Sequence, residues 1–366
     1  MISRFPAGRV LAAMSGGVDS SVAAYLLREQ GYEVIGVTMQ IWPRDADFAP
    51  ASGGCCGIDA IEDARKVASR LGMPHYTVNL REVFADTVIA DFCREYVRGR
   101  TPNPCIRCNS FIKFGALLDK ARELNAAYIA TGHYARVERR GDRFLLKKGA
   151  DRAKDQSYFL YGLTQEQLGR ALMPVGGLDK TRVRDIAGAL GLAVARKKES
   201  QEICFVPGND YRVFLRSRLA NSPSPGPIVD RRGRVLGTHD GIMFYTVGQR
   251  RSLGLSSRER LYVIAIRPDE NTIVVGAREE AYSKQLTAAD LNWISLEGLA
   301  QAIEVKARIR HRQKESPARV TPLAGGRVRV DFAEKQLAIT PGQAVVFYDG
   351  DIVVGGGTIE RGEEDA

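Results

Sequence analysis

The sequence predicts an α/β protein in which a doubly wound parallel sheet is followed by a small central β-rich domain and a C-terminal β-barrel. Strand-like and helix-like segments alternate over residues 8–135, which is typical of a parallel sheet. A turn rich in glycine and serine, "SGGVDSS", separates the first strand from the first helix. After the proline-rich stretch "NSPSPGPIVD", short strands with glycine turns replace the helical pattern.

A chain of 366 residues is too long for one ordinary core, and we predict domains over 1–220, 221–285 and 286–366. The hydrophobic content of 44% and charged content of 26% are typical of a soluble globular protein. No apolar run reaches the length of a membrane span, so no membrane partner is expected. The N-terminal segment "MISRFPAGRVLAAMSGG" indicates a strand and a turn, not a signal or transit peptide. Six cysteines without a secretion signal favour a reducing compartment, and a cytoplasmic location is expected.

The net charge of +10 is that of many proteins that bind a polyanion, because lysine and arginine displace counterions from phosphates. An arginine-rich proteome would give the same total. Charge alone therefore does not separate an RNA-binding protein from an ordinary basic one.

The elements of the first domain follow in order. The predicted strands are "GRVLAAM", "YEVIGVTMQ", "PHYTVNL" and "AYIATGHYA". The predicted helices are "VAAYLLREQ", "DAIEDARKVASRLG", "EVFADTVIADFCREYVRG", "FIKFGALLDKARELN", "TQEQLGRALM" and "KTRVRDIAGALGL". Gly72 ends the second helix, where a left-handed cap is natural. Ligands of parallel sheets bind beyond the carboxyl ends of the strands. Ser15–Ser20, Met39 and Gly132–His133 all lie at such ends, so we expect a site there.

The second half of the chain opens with residues 221–230, which have the composition of a linker. The segments "RVLGTHDG", "RLYVIAIRP" and "TIVVG" are predicted strands of the central domain. Residues 286–361 are strand-rich and predict a small barrel or sandwich. Within them "VKARIRHRQ" alternates apolar and basic residues, which predicts a strand with one cationic face.

The turn "SGGVDSS" has the properties of an anion site. Its glycines allow a tight turn and a close approach of backbone to ligand, and the following helix N-terminus offers unpaired N–H groups. The G-K-[ST] ending of the Walker motif is absent, and so is the G-x-G-x-x-G fingerprint. An ordinary serine-capped turn is the alternative. Asp19 is unexpected beside phosphate unless Mg²⁺ bridges the two.

The segment "TPNPCIRCN" holds Cys105 and Cys108 in C-x-x-C spacing, in a proline-rich turn before a predicted helix. Such a pair binds metal, exchanges disulfides or supplies a nucleophile. A second C-x-x-C pair, which a zinc ribbon needs, is absent. Cys204 lies in "SQEICFV", and Cys93 in a helical segment is expected to be a buried apolar residue. Cys55 and Cys56, in a glycine-rich stretch, are predicted to be exposed loop thiols.

Several segments together carry a resemblance to a known family. "SGGVDSS" resembles the PP-loop of the ATP pyrophosphatases, a superfamily of amide-forming synthetases and tRNA sulfur transferases. "TPNPCIRCN", "TGHYAR", "KDQSYFL", "ESQEICFV", "YTVGQRRSLGL" and "PGQAVVFY" resemble the tRNA-specific 2-thiouridylases, from the PP-loop to about residue 360. The resemblance implies a PP-loop ATPase fold for the first domain.

The resemblance also implies the reaction. The family makes 2-thiouridine at the wobble position of tRNA, where ATP with Mg²⁺ converts the uridine 2-oxygen into an adenylate and AMP leaves. The implied ATP-binding residues are Ala13, Met14, Ser15, Gly16, Gly17, Val18, Asp19, Ser20, Met39 and Gly132. A protein sulfur donor, either a cysteine desulfurase or a relay protein, is the implied partner besides tRNA.

The resemblance implies different roles for the thiols. Cys204 matches the persulfide carrier, and Cys108 matches the catalytic cysteine that attacks the persulfide linkage and forms a disulfide with Cys204. Many members have aspartate where this chain has Cys105. Three convergent thiols, Cys105, Cys108 and Cys204, could instead hold a 4Fe–4S cluster with one open iron, and this alternative stays open.

The implied tRNA contacts fall in five segments of the chain. They are Asn103, Pro104, Cys105, His133, Lys154, Asp155, Gln156, Arg310, His311 and Gln343. Asn103 to Cys105 match the segment that contacts the target base. An aromatic residue is commoner in the family at the position of His311. Arg250 and Arg251 are plausible phosphate contacts.

Two other functions are compatible with the loop. An amide-forming PP-loop ligase would need neither Cys108 nor Cys204. A non-catalytic RNA-binding protein with a relict nucleotide loop would not respond to ATP.

Overall fold

The computed structural model describes residues 8–42, 58–197, 203–206, 208, 210–219, 223–256 and 259–360. Cys55 and Cys56 lie outside these residues, as does the C-terminal "RGEEDA". The chain divides into two compact units. The first comprises Met1–Val88, Cys105–Tyr211 and Asp351–Val353, and the second comprises Ile89–Pro104, Arg212–Gly350 and Val354–Ala366.

A five-stranded parallel sheet forms the centre of the first unit, in the strand order β3-β2-β1-β4-β7. Its strands are β1 Arg9–Ala13, β2 Glu33–Gln40, β3 His75–Asn79, β4 Tyr128–Ala130 and β7 Ala171–Leu172, and a hairpin of β5 Ala135–Arg140 and β6 Arg143–Lys148 follows β4. The central strand β1 is a continuous apolar run buried along most of its length, as expected for a strand covered on both faces. The predicted parallel sheet is confirmed.

The helices of the first unit cover this sheet. They are α1 Val18–Glu29, α2 Ile58–Arg70, α3 Arg81–Phe84, α5 Pro104–Arg107, α6 Leu117–Glu123, α7 Gln165–Gly169 and α8 Lys180–Ala189, with π-helical segments at Ala85–Ile89 and Cys108–Ala116. The apolar faces of α1, α2 and α8 share one core with β1 and β2. Gly72 has φ +59°, which confirms the left-handed cap after α2.

Three predictions for this region need correction. The helix predicted over "TQEQLGRALM" ends at Gly169, because the apolar pair Ala171–Leu172 joins the sheet beside β4. The fourth strand is only Tyr128–Ala130, and the residues after it turn into the hairpin. The helix predicted from Phe111 begins at Pro104, since proline at a first helical position needs no N–H partner.

Gly176 is expected to be the position in the first unit where a methyl group is least tolerated. A Cβ there would lie 1.7 Å from the carbonyl oxygen of Ala135. Backbone must move to accept it, so Gly176→Ala should lower the free energy of unfolding by at least about 3 kcal/mol. Thermal denaturation measures this. Gly177→Ala is the matched control, because nothing lies within 4 Å of a Cβ at Gly177. Equal stability of the two variants would contradict the prediction.

The second unit contains two β structures. The central one is a four-stranded sheet in the order β10-β11-β8-β9. Its strands are β8 Gly226–Val229, β9 Val235–His239, β10 Tyr262–Arg267 and β11 Thr272–Gly276, and helix α9 Tyr211–Arg218 precedes them. Gly226–Val229 is therefore a strand, although the sequence indicated a linker there. Isoleucine and valine in this short segment pair with β11 despite the neighbouring prolines.

The second β structure is a closed six-stranded barrel. Its strands are β12 Tyr282–Trp293, β13 Ile303–Arg308, β14 Ser316–Leu323, β15 Arg327–Leu337, β16 Ala344–Asp349 and β17 Ile352–Ile359. They follow the order β12-β15-β14-β13-β16-β17, and pairing of β12 with β17 closes the barrel. Closure leaves no exposed strand edge and encloses an apolar core. The predicted barrel is confirmed.

The cationic strand face predicted for "VKARIRHRQ" is wrong in part. Strand β13 ends at Arg308, and Arg310 and His311 lie in the turn that follows. Arg308 is buried, and its guanidinium donates to the Tyr348 hydroxyl at 2.6 Å and stacks on that ring. Arginine can be buried in this way because the ring and hydroxyl of Tyr348 replace water.

The helix α4 Ala90–Val97 belongs to the second unit, although it lies within the first predicted domain. It contacts the short helix Ile242–Phe244, and the ring of Phe92 packs edge-on against Phe214. A Cβ at Gly99 would lie 2.8 Å from the side chain of Ile266. Residues 89–104 are thus packed on the central β structure. In the part of the chain that is described, no helix is long and apolar enough to cross a bilayer.

Candidate active site and RNA-contact residues

The loop between β1 and α1 leaves a helix N-terminus open to an anion. Gly16 has φ +65°, and a Cβ there would lie 2.4 Å from the carbonyl oxygen of Ala60, so the turn requires glycine. Gly17 is the N-cap of α1, and no side chain caps the helix. Ser20 instead donates to the Gly17 carbonyl and accepts from the Ser15 N–H. The first N–H groups of α1 are therefore available to a phosphate.

Asp19, in the first turn of α1, is neutralised by the protein itself. Lys180 Nζ donates to both carboxylate oxygens of Asp19, at 2.7 and 2.8 Å. The Tyr134 hydroxyl donates to one of these oxygens at 2.7 Å, and Lys180 lies over the Tyr134 ring. Side chains of Asp19 and Lys180 are 26% and 11% exposed. The ion pair explains how a carboxylate is tolerated beside a phosphate site, and it places a lysine there as well.

The other predicted nucleotide residues lie around the same loop. Ala13 ends β1, Met14 and Val18 are buried, and Met39 is half-buried near the end of β2. A Cβ at Gly132 would lie 2.6 Å from Ser20 N, so only glycine lets this segment approach the start of α1. Lys197 links the loop to helix α2, because its Nζ donates to the Gly16 carbonyl at 3.1 Å and to the Asp63 carboxylate at 2.7 Å.

Cys108 is the first residue of the π-helical segment Cys108–Ala116 and is half-buried. π-Helical segments are rare and often occur at functional sites. A buried polar network lies in the same segment. Lys113 Nζ donates to Asn109 Oδ1 at 2.9 Å, and the Asn109 amide donates to the Phe159 carbonyl at 3.0 Å. Asn109 is only 2% exposed, so the residue after Cys108 is fixed.

His133 extends this network. Its Nε2 lies 3.4 Å from Lys113 Nζ, and its Nδ1 lies 2.8 Å from the Thr131 hydroxyl. Burial, together with the charge of Lys113, holds the pKa of His133 well below its ordinary value of 6.5. Since Lys113 can only donate, neutral His133 accepts at Nε2 and carries its proton on Nδ1. His133 is therefore an uncharged interior residue in this structure.

The buried state of His133 predicts a pH dependence of stability. Below about pH 6.5 the unfolded chain takes up a proton at His133, whereas the folded chain does not. The free energy of unfolding should therefore fall as the pH is lowered from about 7 to about 5. The fall should be smaller for His133→Gln, which keeps one donor and one acceptor. Denaturant titrations at several pH values measure how the free energy of unfolding changes with pH in the wild type and in His133→Gln. The same change with pH in both proteins would contradict the prediction.

Cys204 lies in a turn that is anchored beside α3. It is half-buried, and the Val206 N–H donates to the Ile203 carbonyl across the turn at 3.0 Å. The buried ring of Phe205 packs edge-on against Phe84 of α3, with centroids 5.6 Å apart. Helix α3 also contacts the π-helical segment that begins at Cys108. The segments of Cys108 and Cys204 thus pack on one helix. Cys105 is exposed.

The three thiols are not grouped as the ligands of a single metal ion. Among the described residues, which include Cys105, Cys108 and Cys204, no three cysteine, histidine or carboxylate side chains are grouped to hold a metal ion. We derive no step through a 4Fe–4S cluster. Cys93 lies apart in α4, where burial raises the pKa of its thiol. Its prediction as a buried residue is confirmed only in part, because Cys93 is half-buried.

Among the predicted tRNA contacts of the first unit, Gln156 is hydrogen-bonded to Tyr134. The side-chain Oε1 of Gln156 accepts from the backbone N–H of Tyr134 at 3.0 Å. The backbone N–H of Gln156 donates to the Tyr134 carbonyl at 2.9 Å. Asp155 is buried, and its oxygens accept from the Gly149 N–H and from Ser157. Lys154 is half-buried in the same turn. This turn therefore positions Tyr134, the partner of Asp19.

Most predicted contacts of the second unit lie outside helices and strands, whereas Pro104 begins α5. Arg310 Nη2 donates to the Ala338 carbonyl at 2.6 Å, and His311 is half-buried beside it. Gln343 donates to the carbonyl oxygens of Thr101 and Pro102, at 3.0 Å each. Asn103 is half-buried and Pro104 buried. Gln343 is thus brought together with the turn that precedes Pro104.

Family models match nearly the whole chain. Residues 8–208 match a model described as tRNA methyl transferase HUP domain, which covers more than half of the chain. Residues 212–277 match one described as tRNA methyl transferase PRC-barrel domain, and residues 283–359 match one described as Aminomethyltransferase beta-barrel domain. With the loop before α1, these matches define an ATP-binding protein of the PP-loop class that continues into two β domains.

Relatives that match over nearly their whole length identify the family within this class of protein. A tRNA-specific 2-thiouridylase MnmA 2 from Clostridium botulinum (strain Okra / Type B1) is 52% identical, covering 96% of this chain and 99% of its own. An MnmA 1 from Caldanaerobacter subterraneus subsp. tengcongensis is 55% identical, with coverage of 96% and 98%. An MnmA from Heliobacterium modesticaldum is 55% identical, with coverage of 96% and 92%. The chain belongs to the family of tRNA-specific 2-thiouridylases, and the resemblance seen in the sequence is confirmed.

Sequence reasoning missed Lys180, Tyr134, Lys113 and the bonds of Gln343. Lys180 is 161 positions from Asp19, and no short motif joins them. One signal was present: Lys180 follows Asp179 at the start of a predicted helix, where a lysine opposes the helix dipole and needs a local reason. The Asp19 carboxylate is that reason.

Proposed function

We propose that the chain catalyses ATP-dependent 2-thiolation of the wobble uridine of tRNA. The observation that carries the proposal is that one compact unit contains both a candidate phosphate site and two thiols. An uncapped helix N-terminus suited to a triphosphate is combined with two half-buried thiols whose segments pack on α3. Membership of the 2-thiouridylase family over almost the whole chain supports the substrate and the product.

The first step is activation of the uridine. The 2-oxygen attacks the α-phosphorus of ATP and pyrophosphate leaves, so that the oxygen becomes part of an AMP leaving group. Residues 13–20, Met39 and Gly132 hold the nucleotide, with N–H groups of α1 directed at its phosphates. Lys180 adds a positive charge beside them. Mg²⁺ bound to the ATP phosphates would supply further charge neutralisation, and Asp19 is the carboxylate of the loop that could bind it.

The second step transfers sulfur. The terminal sulfur of a Cys204 persulfide attacks the activated C2 carbon. The Cys108 thiolate attacks Sγ of Cys204, the S–S bond of the persulfide breaks, sulfur stays on C2 and AMP leaves. The two cysteines end as a disulfide, and a reductant must supply two electrons to reset them. A protein sulfur donor, a desulfurase or a relay protein, regenerates the persulfide on Cys204.

The RNA-contact residues divide into two groups. Asn103, Pro104 and Cys105 contact the target base, and Lys154, Gln156, Arg310, His311 and Gln343 contact the tRNA. For His133 and Asp155, which are buried and hydrogen-bonded inside the fold, we propose that the contact is made through the segments they order. Base stacking and hydrogen bonding to an extruded uridine are the interactions such a site would use.

One assay separates the proposal from its alternatives. The protein is incubated with unmodified tRNA, ATP, Mg²⁺ and a cysteine desulfurase with cysteine, and nucleosides are analysed for 2-thiouridine. We expect 2-thiouridine together with stoichiometric AMP and pyrophosphate. No thiolation by the wild type would refute the function. ATP cleavage driven by an amine in place of tRNA would favour an amide-forming ligase, and tRNA binding without an effect of ATP would favour a non-catalytic RNA-binding protein.

A further inference from the structure

The turn Thr101–Pro104 is held by the barrel through three hydrogen bonds within the second unit. The Thr101 N–H donates to the Pro341 carbonyl at 2.8 Å. The side-chain amide of Gln343 donates to the carbonyl oxygens of Thr101 and Pro102, at 3.0 Å each. Because prolines have no N–H, Thr101 and Asn103 carry the backbone donors of the turn, and the Pro341 carbonyl accepts from that of Thr101.

Two further contacts make the fit specific. Gly342 has φ +89°, and a Cβ there would lie 2.9 Å from both the N and the O atom of Thr101. Only glycine allows the barrel loop to approach so closely. The Thr101 hydroxyl donates to the hydroxyl of Thr246 in the central β structure at 3.2 Å. The turn is therefore attached to both β structures of its unit.

The boundary between the two compact units lies directly after this turn. Residues 89–104 belong to the second unit, whereas Cys105 and the rest of helix α5 belong to the first. The turn is therefore held by contacts within the second unit, although it immediately precedes the segment that carries Cys108.

We propose that Gln343, Gly342 and Thr246 form a clamp that positions the turn 101–104 for the target uridine. Gln343 is then a positioning residue: its nitrogen holds the turn. Its Oε1 accepts no hydrogen bond from the residues that the structure describes, which leaves that atom to the tRNA. The inference rests on the proposed function and deepens it, since it assigns to the barrel the alignment of the base-contact turn as well as binding of RNA.

Single-turnover thiolation and tRNA affinity, measured separately, test the clamp. Gln343→Ala should lower the thiolation rate at saturating tRNA by about 10- to 100-fold, because a displacement near 1 Å has effects of this size. The dissociation constant for tRNA should change less than about threefold. Thr246→Val, which removes a hydroxyl with no proposed RNA contact, should lower the rate in the same direction by about threefold. Gln301→Ala, at an exposed glutamine of the same unit, is the matched control.

A second measurement does not depend on catalysis. Hydrogen exchange at the Thr101 amide, followed by mass spectrometry without RNA, should be faster in Gln343→Ala than in the wild type or Gln301→Ala. A wild-type rate in Gln343→Ala with weakened tRNA binding would overturn the clamp and leave a simple RNA contact. Unchanged exchange would overturn it too. If the wild type makes no 2-thiouridine, the proposed function fails, and exchange alone decides whether the clamp exists.

Discussion

Cys204→Ser and Cys108→Ser are each expected to lower the rate of 2-thiouridine formation by more than about a thousandfold. A serine hydroxyl cannot carry a persulfide sulfur at position 204. At position 108 it is not ionised near neutral pH and cannot attack the S–S bond. Pyrophosphate release in the presence of tRNA and ATP should persist in both variants, because neither thiol contributes to the proposed adenylation.

Two other cysteines provide controls for this prediction. Cys93→Ser changes a thiol in the second unit whose pKa is raised by burial, and it should leave the thiolation rate unchanged. Cys105→Ser and Cys105→Asp decide whether the exposed Cys105 contributes to thiolation. Thiolation that survives in Cys204→Ser would remove the persulfide from the mechanism.

Lys180→Met is expected to lower ATP-dependent thiolation by more than about a hundredfold. The substitution keeps the length of the side chain. Among the described residues it leaves the Asp19 carboxylate, which is about three-quarters buried, with the Tyr134 hydroxyl as its remaining side-chain partner. An uncompensated negative charge would then lie at the site proposed for the triphosphate. The dissociation constant for ATP, measured by equilibrium dialysis, should rise together with the loss of rate.

Lys120→Met is the matched control for Lys180→Met. Lys120 forms a solvent-exposed ion pair with Glu123 in α6, and such pairs contribute little to stability. Its loss should change neither ATP affinity nor thiolation. Unchanged ATP affinity in Lys180→Met would show that the Asp19–Lys180 pair is structural only. A fold that is intact by thermal denaturation is required of both variants.

Local patterns predicted most of the fold. The alternation of strands and helices before residue 135 predicted the parallel sheet, and short strands with glycine turns predicted the barrel. Errors occurred where tertiary pairing outweighed local propensity. Ala171–Leu172 is helical by pattern but completes the sheet beside β4. Arg308 alternates with apolar residues as a surface residue would, yet it is buried against Tyr348.

The nucleotide loop was determined by the sequence alone. A turn such as "SGGVDSS" is made of neighbouring residues, and its function follows from backbone N–H groups, glycine conformations and a helix N-terminus, all of which are local. The family resemblance was also a property of short segments. The proposed roles of Cys108 and Cys204 also came from short segments, because each cysteine lies within its own motif.

Only the tertiary structure showed how distant residues are combined. Lys180 neutralises Asp19 across 161 positions, Phe84 and Phe205 bring the Cys204 turn to α3, and Gln343 holds Thr101 across 242 positions. A hydrogen bond or an ion pair depends on distances of a few ångströms between side chains, and chain separation contains no information about those distances. The sequence therefore determined which chemical groups are present. The tertiary structure decided which of these groups form ion pairs, form hydrogen bonds and lie close to one another.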